Sequence, residues 1–216
     1  MRALLLVAGV LAVAAPARAQ DADSAFGRRT TAEVRSVNPN RPLASGNGVY
    51  GRFDGDLDAS LGAGAYVDVS EDGAASLTAR AAALWFFTAG PYVAYAEGLS
   101  DEADPERRLG LGLDLRPLFL LRWNQDWQKG PALLDLTLDS LSLGLGLSLD
   151  EPRGRGFGAR RAFEASLGAG VPLFAEAPGP WLEARAAVAW PNLGERSVTL
   201  ALMLGWHFAI VTPLVR

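Results

Sequence analysis

The chain has no cysteine, a single histidine and one lysine, Lys129, among its 216 residues. Without cysteine there can be no disulfide scaffold, no thiolate-bound metal, no cysteine nucleophile and no lipid attached to a cysteine. With His207 as the only imidazole, a multi-histidine metal site is excluded, and any Ser–His–Asp arrangement must use that residue. Basic blocks are missing too, and a net charge of −4 offers no electrostatic footprint for nucleic acid. No motif points to a metal or a cofactor, so none is expected. Apolar residues, by contrast, make up 50% of the chain, too many for a disordered protein. The length fits one domain.

Residues 1–19 read as an export signal. Arg2 precedes the apolar run 3–15, and Pro16-Ala17-Arg18-Ala19 supplies a small-residue cleavage site before Gln20. The run is shorter than the roughly 20 apolar residues a spanning helix needs. Removal of this segment is expected to leave a more acidic mature chain. Residues 20–47, with Arg28-Arg29 and few large apolar groups, read as a flexible periplasmic leader, and 212–216 as a C-terminal tail.

The rest of the chain is dominated by alternation. From Asp56 to Val69, Leu57, Ala59, Leu61, Ala63, Ala65, Val67 and Val69 take one parity, while Asp56, Asp58, Ser60, Gly62, Gly64, Tyr66 and Asp68 take the other. Successive strand side chains point to opposite faces, so this is a strand with one apolar and one polar side. The pattern returns over 76–87, 92–97, 109–116, 141–149, 163–171, 182–190 and 198–210. Turn chemistry separates the segments: Glu71-Asp72-Gly73, Ala89-Gly90-Pro91, 101–105, 151–156, 175–180 and 191–195. Segments 74–88 and 181–190 are alanine-rich enough for helices, but their parity and their place in a series of strands favour strands. Eight strands with short links form an antiparallel meander, and a meander loses its two edges by closing.

Which face is apolar decides the solvent. One face carries glycine, serine and charges of both signs: Asp56, Asp58, Arg80, Asp114, Arg116, Glu164, Glu183 and Arg185, with His207 on the same parity. An eight-stranded barrel has room inside for side chains only, which small residues and complementary charges fill well. The other face, rich in Leu, Ala and Val, suits hydrocarbon. Trp85, Trp123, Trp127, Trp181, Trp190 and Trp206 fall near strand ends or in a connection, as an aromatic girdle at the two membrane boundaries requires. The expected fold is therefore all-β, an eight-stranded antiparallel up-and-down transmembrane β-barrel over 48–211.

In strand number, parity and export signal the chain resembles the small bacterial outer-membrane β-barrel proteins, the OmpA- and OmpX-like group. The resemblance covers about residues 48–211. It implies an outer-membrane location, a lipid environment, a monomer, and assembly by the barrel-assembly machinery. The last strand is similar to that machinery's recognition signal at Gly205, Phe208 and Ile210. Met203 replaces the usual polar residue, and the chain runs on to Arg216 instead of ending on an aromatic. The family's topology puts both termini in the periplasm, with outer loops 70–74, 99–107, 150–157 and 191–196 and inner turns 88–91, 122–132 and 175–180. Outer loops this short offer little surface for an adhesin or receptor.

One stretch breaks the pattern. Parity fails after Arg116-Pro117, returns at Leu134, Leu136 and Leu138, and slips by one at Asp139-Ser140. Residues 117–140 are thus an irregular connection. Either a bulged strand follows a long turn, or a short interfacial segment caps the periplasmic mouth, with Trp123 and Trp127 on one helical face.

The role expected is structural or weakly channel-forming, with a side-chain-filled lumen and no catalysis. Two alternatives remain open. An outer-membrane acyl hydrolase or transferase would need His207 as base beside Ser166 or Ser142. A soluble periplasmic barrel would bind an apolar ligand inside.

Overall fold

The computed structural model describes residues 49–69, 75–100, 103–125, 127–128 and 131–212. The export signal, the leader, loop 70–74 and residues 213–216 lie outside them. Eight strands run in chain order: β1 (Leu57–Asp68), β2 (Ala75–Trp85), β3 (Ala89–Gly98), β4 (Arg107–Leu115), β5 (Ser142–Glu151), β6 (Arg160–Pro172), β7 (Gly179–Pro191) and β8 (Ser197–Ile210). Each pairs antiparallel with its neighbours, and β1 pairs with β8, so the sheet is a closed barrel. Every strand core matches a segment of alternating sequence.

The stagger of the barrel follows from its pairings. Leu57 faces Trp85, and the ladder continues through Ala89, Leu115, Leu143, Leu167, Ala186 and Leu200. It re-enters β1 at Val67, ten residues further on. Closing a twisted sheet requires such a stagger, and it tilts every strand against the barrel axis. Parity then sorts the side chains without exception along this path. Leu113, Leu147 and Leu204 point outward, with 64%, 62% and 59% of their surface exposed, while Asp114, Ser148 and Asp150 point inward and are buried. This polarity is the reverse of a water-soluble barrel's.

Two local expectations are corrected. The β2–β3 link is not Ala89-Gly90-Pro91 but Phe86-Phe87-Thr88, with Phe86 and Phe87 both at positive φ (46° and 59°). Gly90 and Pro91 instead belong to β3. Pro91 has no N–H to give the ladder, and the β2–β3 pairing lapses there before resuming at Trp85 and Ala89 in the same register. Residues 49–56 are not barrel wall. A 3-10 turn, Val49–Gly51, leads this segment under the mouth where β1 begins and β8 ends.

The irregular stretch 117–140 is a helical hairpin, α1 (Pro117–Asn124) and α2 (Ala132–Asp139). Proline at the first position of α1 suits a helix start, where its missing N–H costs nothing. The alternating Leu134, Leu136 and Leu138 are helical, so their apparent strand parity was accidental. Leu136 is fully buried, whereas Leu134 is 54% exposed.

Close approach of strands explains a central glycine. A Cβ on Gly64 would stand 2.0 Å from the Leu202 carbonyl oxygen, whereas one on Gly62 would meet nothing nearer than 3.6 Å. Gly64→Ala is expected to destabilise the refolded barrel by about 1–3 kcal/mol, as overpacking generally does. Gly62→Ala should stay near the parent. Urea unfolding in phospholipid vesicles measures both.

Candidate functional site: a charged lumen under a capped mouth

Alternation brings carboxylate, guanidinium and imidazole groups from seven strands, all but β3, to the axis, where in the absence of bulk water a charge without a partner is costly. At mid-height, Asp114 of β4 is shared. Arg80 of β2 donates to its Oδ2, and Arg185 of β7 donates to Oδ1 and Oδ2 at 3.2 and 3.1 Å. Arg185 also donates to Ser166 Oγ at 2.8 Å and Ser142 Oγ at 3.4 Å. The Arg80 guanidinium lies 4.5 Å from the centroid of the Tyr92 ring, an attraction between a cation and a π-face.

Toward the mouth where β1 begins and β8 ends, His207 is clamped between carboxylates. Its Nδ1 lies 3.2 Å from both oxygens of Asp58, and its Nε2 lies 2.8 Å from Glu183 Oε1. Each ring nitrogen thus faces a carboxylate; as an imidazolium the ring donates on both sides and keeps no lone pair for a base. Arg116 approaches Asp58 at 3.4 Å and lies 3.8 Å over the Phe87 ring. Trp181 packs on His207 at 4.8 Å between ring centroids and donates its Nε1–H to the Ala177 carbonyl.

At the opposite end, Arg108 holds Asp150 with two bonds, 2.9 and 3.1 Å. Arg160 joins Asp150 to Asp104, at 3.2 Å each. Glu164 makes no hydrogen bond or ion pair among the described residues and borders a cavity of about 70 Å³ with Tyr66, Tyr92 and Arg108. A second cavity, about 20 Å³, lies between Asp114, Arg116 and His207. Arg80, Arg185 and Met203 border both, so the guanidinium layer stands between two water-sized spaces.

The mouth is sealed by aromatic and ionic groups. Tyr50, Phe87, Phe119, Leu136, Ala177 and Trp181 form a buried cluster, with Phe119 edge-on to Phe87 and stacked with Trp123. Beneath it, Arg52 pairs with Asp139, while Arg122 pairs with both Asp135 and Asp139. Gln128 donates to Asp139 and Tyr50 donates to Asp135. Burial lowers the Arg52 guanidinium to about 10, against the opposing pull of Asp139 and Asp135.

The sequence-assigned residues divide clearly. Asp58, Arg80, Asp114, Arg116, Glu183, Arg185 and His207 meet in the lumen, and Glu164 lines it without joining a pair. Asp56 does not take part: it precedes β1 and accepts from the Thr212 amide at 3.1 Å, tying the segment before β1 to the segment after β8. Trp181 is not a girdle residue, because it shares the parity of Glu183 and Arg185 and is 1% exposed in the lumen. Trp85, Trp190 and Trp206 do face outward, and Trp123 and Trp127 are exposed on the hairpin. Gly205 faces inward beside Glu183, whereas Phe208 and Ile210 share the outward parity of Trp206. Ser166 and Ser142 bind Arg185 and not His207, so neither of these two serines is coupled to the imidazole. The sequence reading missed Arg108 and Asp150. Both keep the inward parity of their strands and lie one residue beyond the ends assigned to them.

A closed eight-stranded barrel with charges at its axis and leucine outside is the architecture of the small bacterial outer-membrane barrels. Among solved structures, the chain is similar to "The crystal structure of Ail, the attachment invasion locus protein of Yersinia pestis, in complex with the heparin analogue sucrose octasulfate", at 13% identity over 71% of this chain and 99% of that one, TM-score 0.41. It is also similar to the solution NMR structure of the de novo designed TMB2.3, at 14% identity over 71% and 94%, TM-score 0.38. These are likenesses of strand architecture and transfer no site residue. No protein-family model and no curated protein matches the chain.

Removing the shared carboxylate leaves two guanidiniums facing each other without the acceptor that joins them. Asp114→Asn is expected to cost about 3–5 kcal/mol, the range for breaking a buried ion pair from one side. Urea titration of the refolded variant, followed by tryptophan fluorescence, gives the value.

Proposed function

We propose that this chain is an exported outer-membrane barrel of structural role, anchored by its wall and plugged along its axis. The observation that carries the reading is the inverted polarity: outward leucines on every side of the ring, and ion pairs inside. In water such a surface would be one continuous apolar band, far larger than the patches soluble monomers expose. In lipid it costs nothing, and the closed ladder satisfies the backbone. Mutually paired charges and two small cavities favour a plug over a wide channel.

The same geometry supports a non-enzymatic role, because His207 is held by two carboxylates and the nearby serines are held by Arg185. An apolar interior ligand is disfavoured by the charges that occupy the axis. A periplasmic orientation of the capped mouth and recognition of the last strand by the assembly machinery belong to this reading.

Two measurements test it. Unheated protein in detergent should migrate differently from boiled protein on gels, and buffer alone should not extract it from membranes; extraction in buffer with unchanged mobility would reject the membrane assignment. In planar bilayers, purified protein should show no steady large conductance, and such a conductance would reject the plug.

A further inference from the structure

The hairpin α1–α2 has the wrong polarity for a lid that faces water. Amphipathic helices on a soluble protein turn leucine inward and charge outward. Here Arg122, Asp135 and Asp139 point into the mouth, while Leu120, Leu121, Leu133 and Leu134 point away from it, between 37% and 54% exposed. Trp123 and Trp127 add 45% and 58% exposed indole. This is the barrel's own inversion, repeated in helices.

The hairpin also fills a gap in the wall. The last β5–β6 pair is Ser142 with Gly168, but β6 continues to Pro172, still paired with β7. Residues 169–172 of β6 thus present an edge with no β5 partner, and α2 packs against β6 there. The Ser140 side chain completes the ladder: its Oγ accepts from Gly170 N at 2.7 Å and lies 2.8 Å from Gly170 O. The next N–H on that side would belong to residue 172, which is proline and has none. An edge in hydrocarbon must be closed in this way, whereas one in water need not be.

The outer face of the hairpin is therefore continuous with the belt: Leu115 ends β4 on one side, Leu143 begins β5 on the other, and Val171, Leu173 and Phe174 lie beyond α2, all exposed. We infer that the α1–α2 hairpin is a re-entrant part of the membrane-contacting surface, its outer leucines and tryptophans inserted among phospholipid acyl chains of the leaflet at the end where β1 begins and β8 ends. The inference rests on the outer-membrane reading and deepens it by naming what covers this face.

The absence of cysteine allows a direct test. Leu121→Cys and Leu134→Cys on the hairpin, Leu145→Cys on the belt and Arg155→Cys on the opposite loop each receive one environment-sensitive fluorophore. The variants are refolded into phosphatidylcholine vesicles and checked by heat-modifiable mobility. Quenching by acyl-chain doxyl lipid at 121 and 134 should come within about twofold of that at 145, with little quenching by aqueous iodide, as burial in the headgroup–acyl boundary predicts. Position 155 should behave oppositely. If 145 is lipid-quenched while 121 and 134 respond only to iodide, the hairpin lies in water and the inference fails with the membrane reading intact. Shielding of 121 and 134 from both quenchers would mean a protein contact and would also overturn it. If 145 itself escapes the lipid quencher, the outer-membrane reading fails first.

Discussion

An eight-stranded barrel with a ten-residue stagger has space at its axis for side chains only. Whatever the inward parity carries must therefore fit and be satisfied within that column, because little water can enter. This chain meets most of the constraint by alternating glycine and serine with charged residues, so that long guanidiniums reach across to carboxylates on other strands, while Glu164 is left beside a cavity. The wall, the charged column and the outward leucines of the strands follow from the same parity. A strand slipped by one residue would turn charges into lipid and leucines into the column.

The capped mouth solves a second problem with the same means. The ends of the barrel are where pairing stops and polar backbone is freed. The 3-10 turn and the hairpin close one end with an aromatic cluster over an arginine–aspartate network, and Asp56 binds the chain's departing segment at Thr212. The serine hydroxyl at position 140 does in one atom what another turn of strand would have done.

Most of this wall was legible in the sequence, since a period of two is the strongest signal a strand can give, and each of the eight runs showed it. The lumen residues were legible for the same reason, except at strand ends, where Arg108 and Asp150 fell outside assigned limits by a single position. Trp181 was misplaced because aromatic identity was weighed above parity, which alone assigned it to the axis. The hairpin was harder. Leu134, Leu136 and Leu138 mimic a strand locally, and only the burial of Asp135 and Asp139 against Arg52 and Arg122 reveals the helix. Those are contacts between residues far apart in the chain, which no local pattern records. The Phe86-Phe87 turn was hidden likewise, because two phenylalanines at positive φ run against the residue preferences of turns.

Asp114 is reached by Arg80 from β2 and Arg185 from β7, strands that stand well apart around the ring from each other and from β4. Three staves are thus tethered to one hub. A hollow cylinder squeezed sideways by the lateral pressure of a bilayer flattens easily into an oval, but this one would have to stretch a spoke to do so. The ionic column therefore works as internal bracing, because it ties three parts of the wall to one carboxylate.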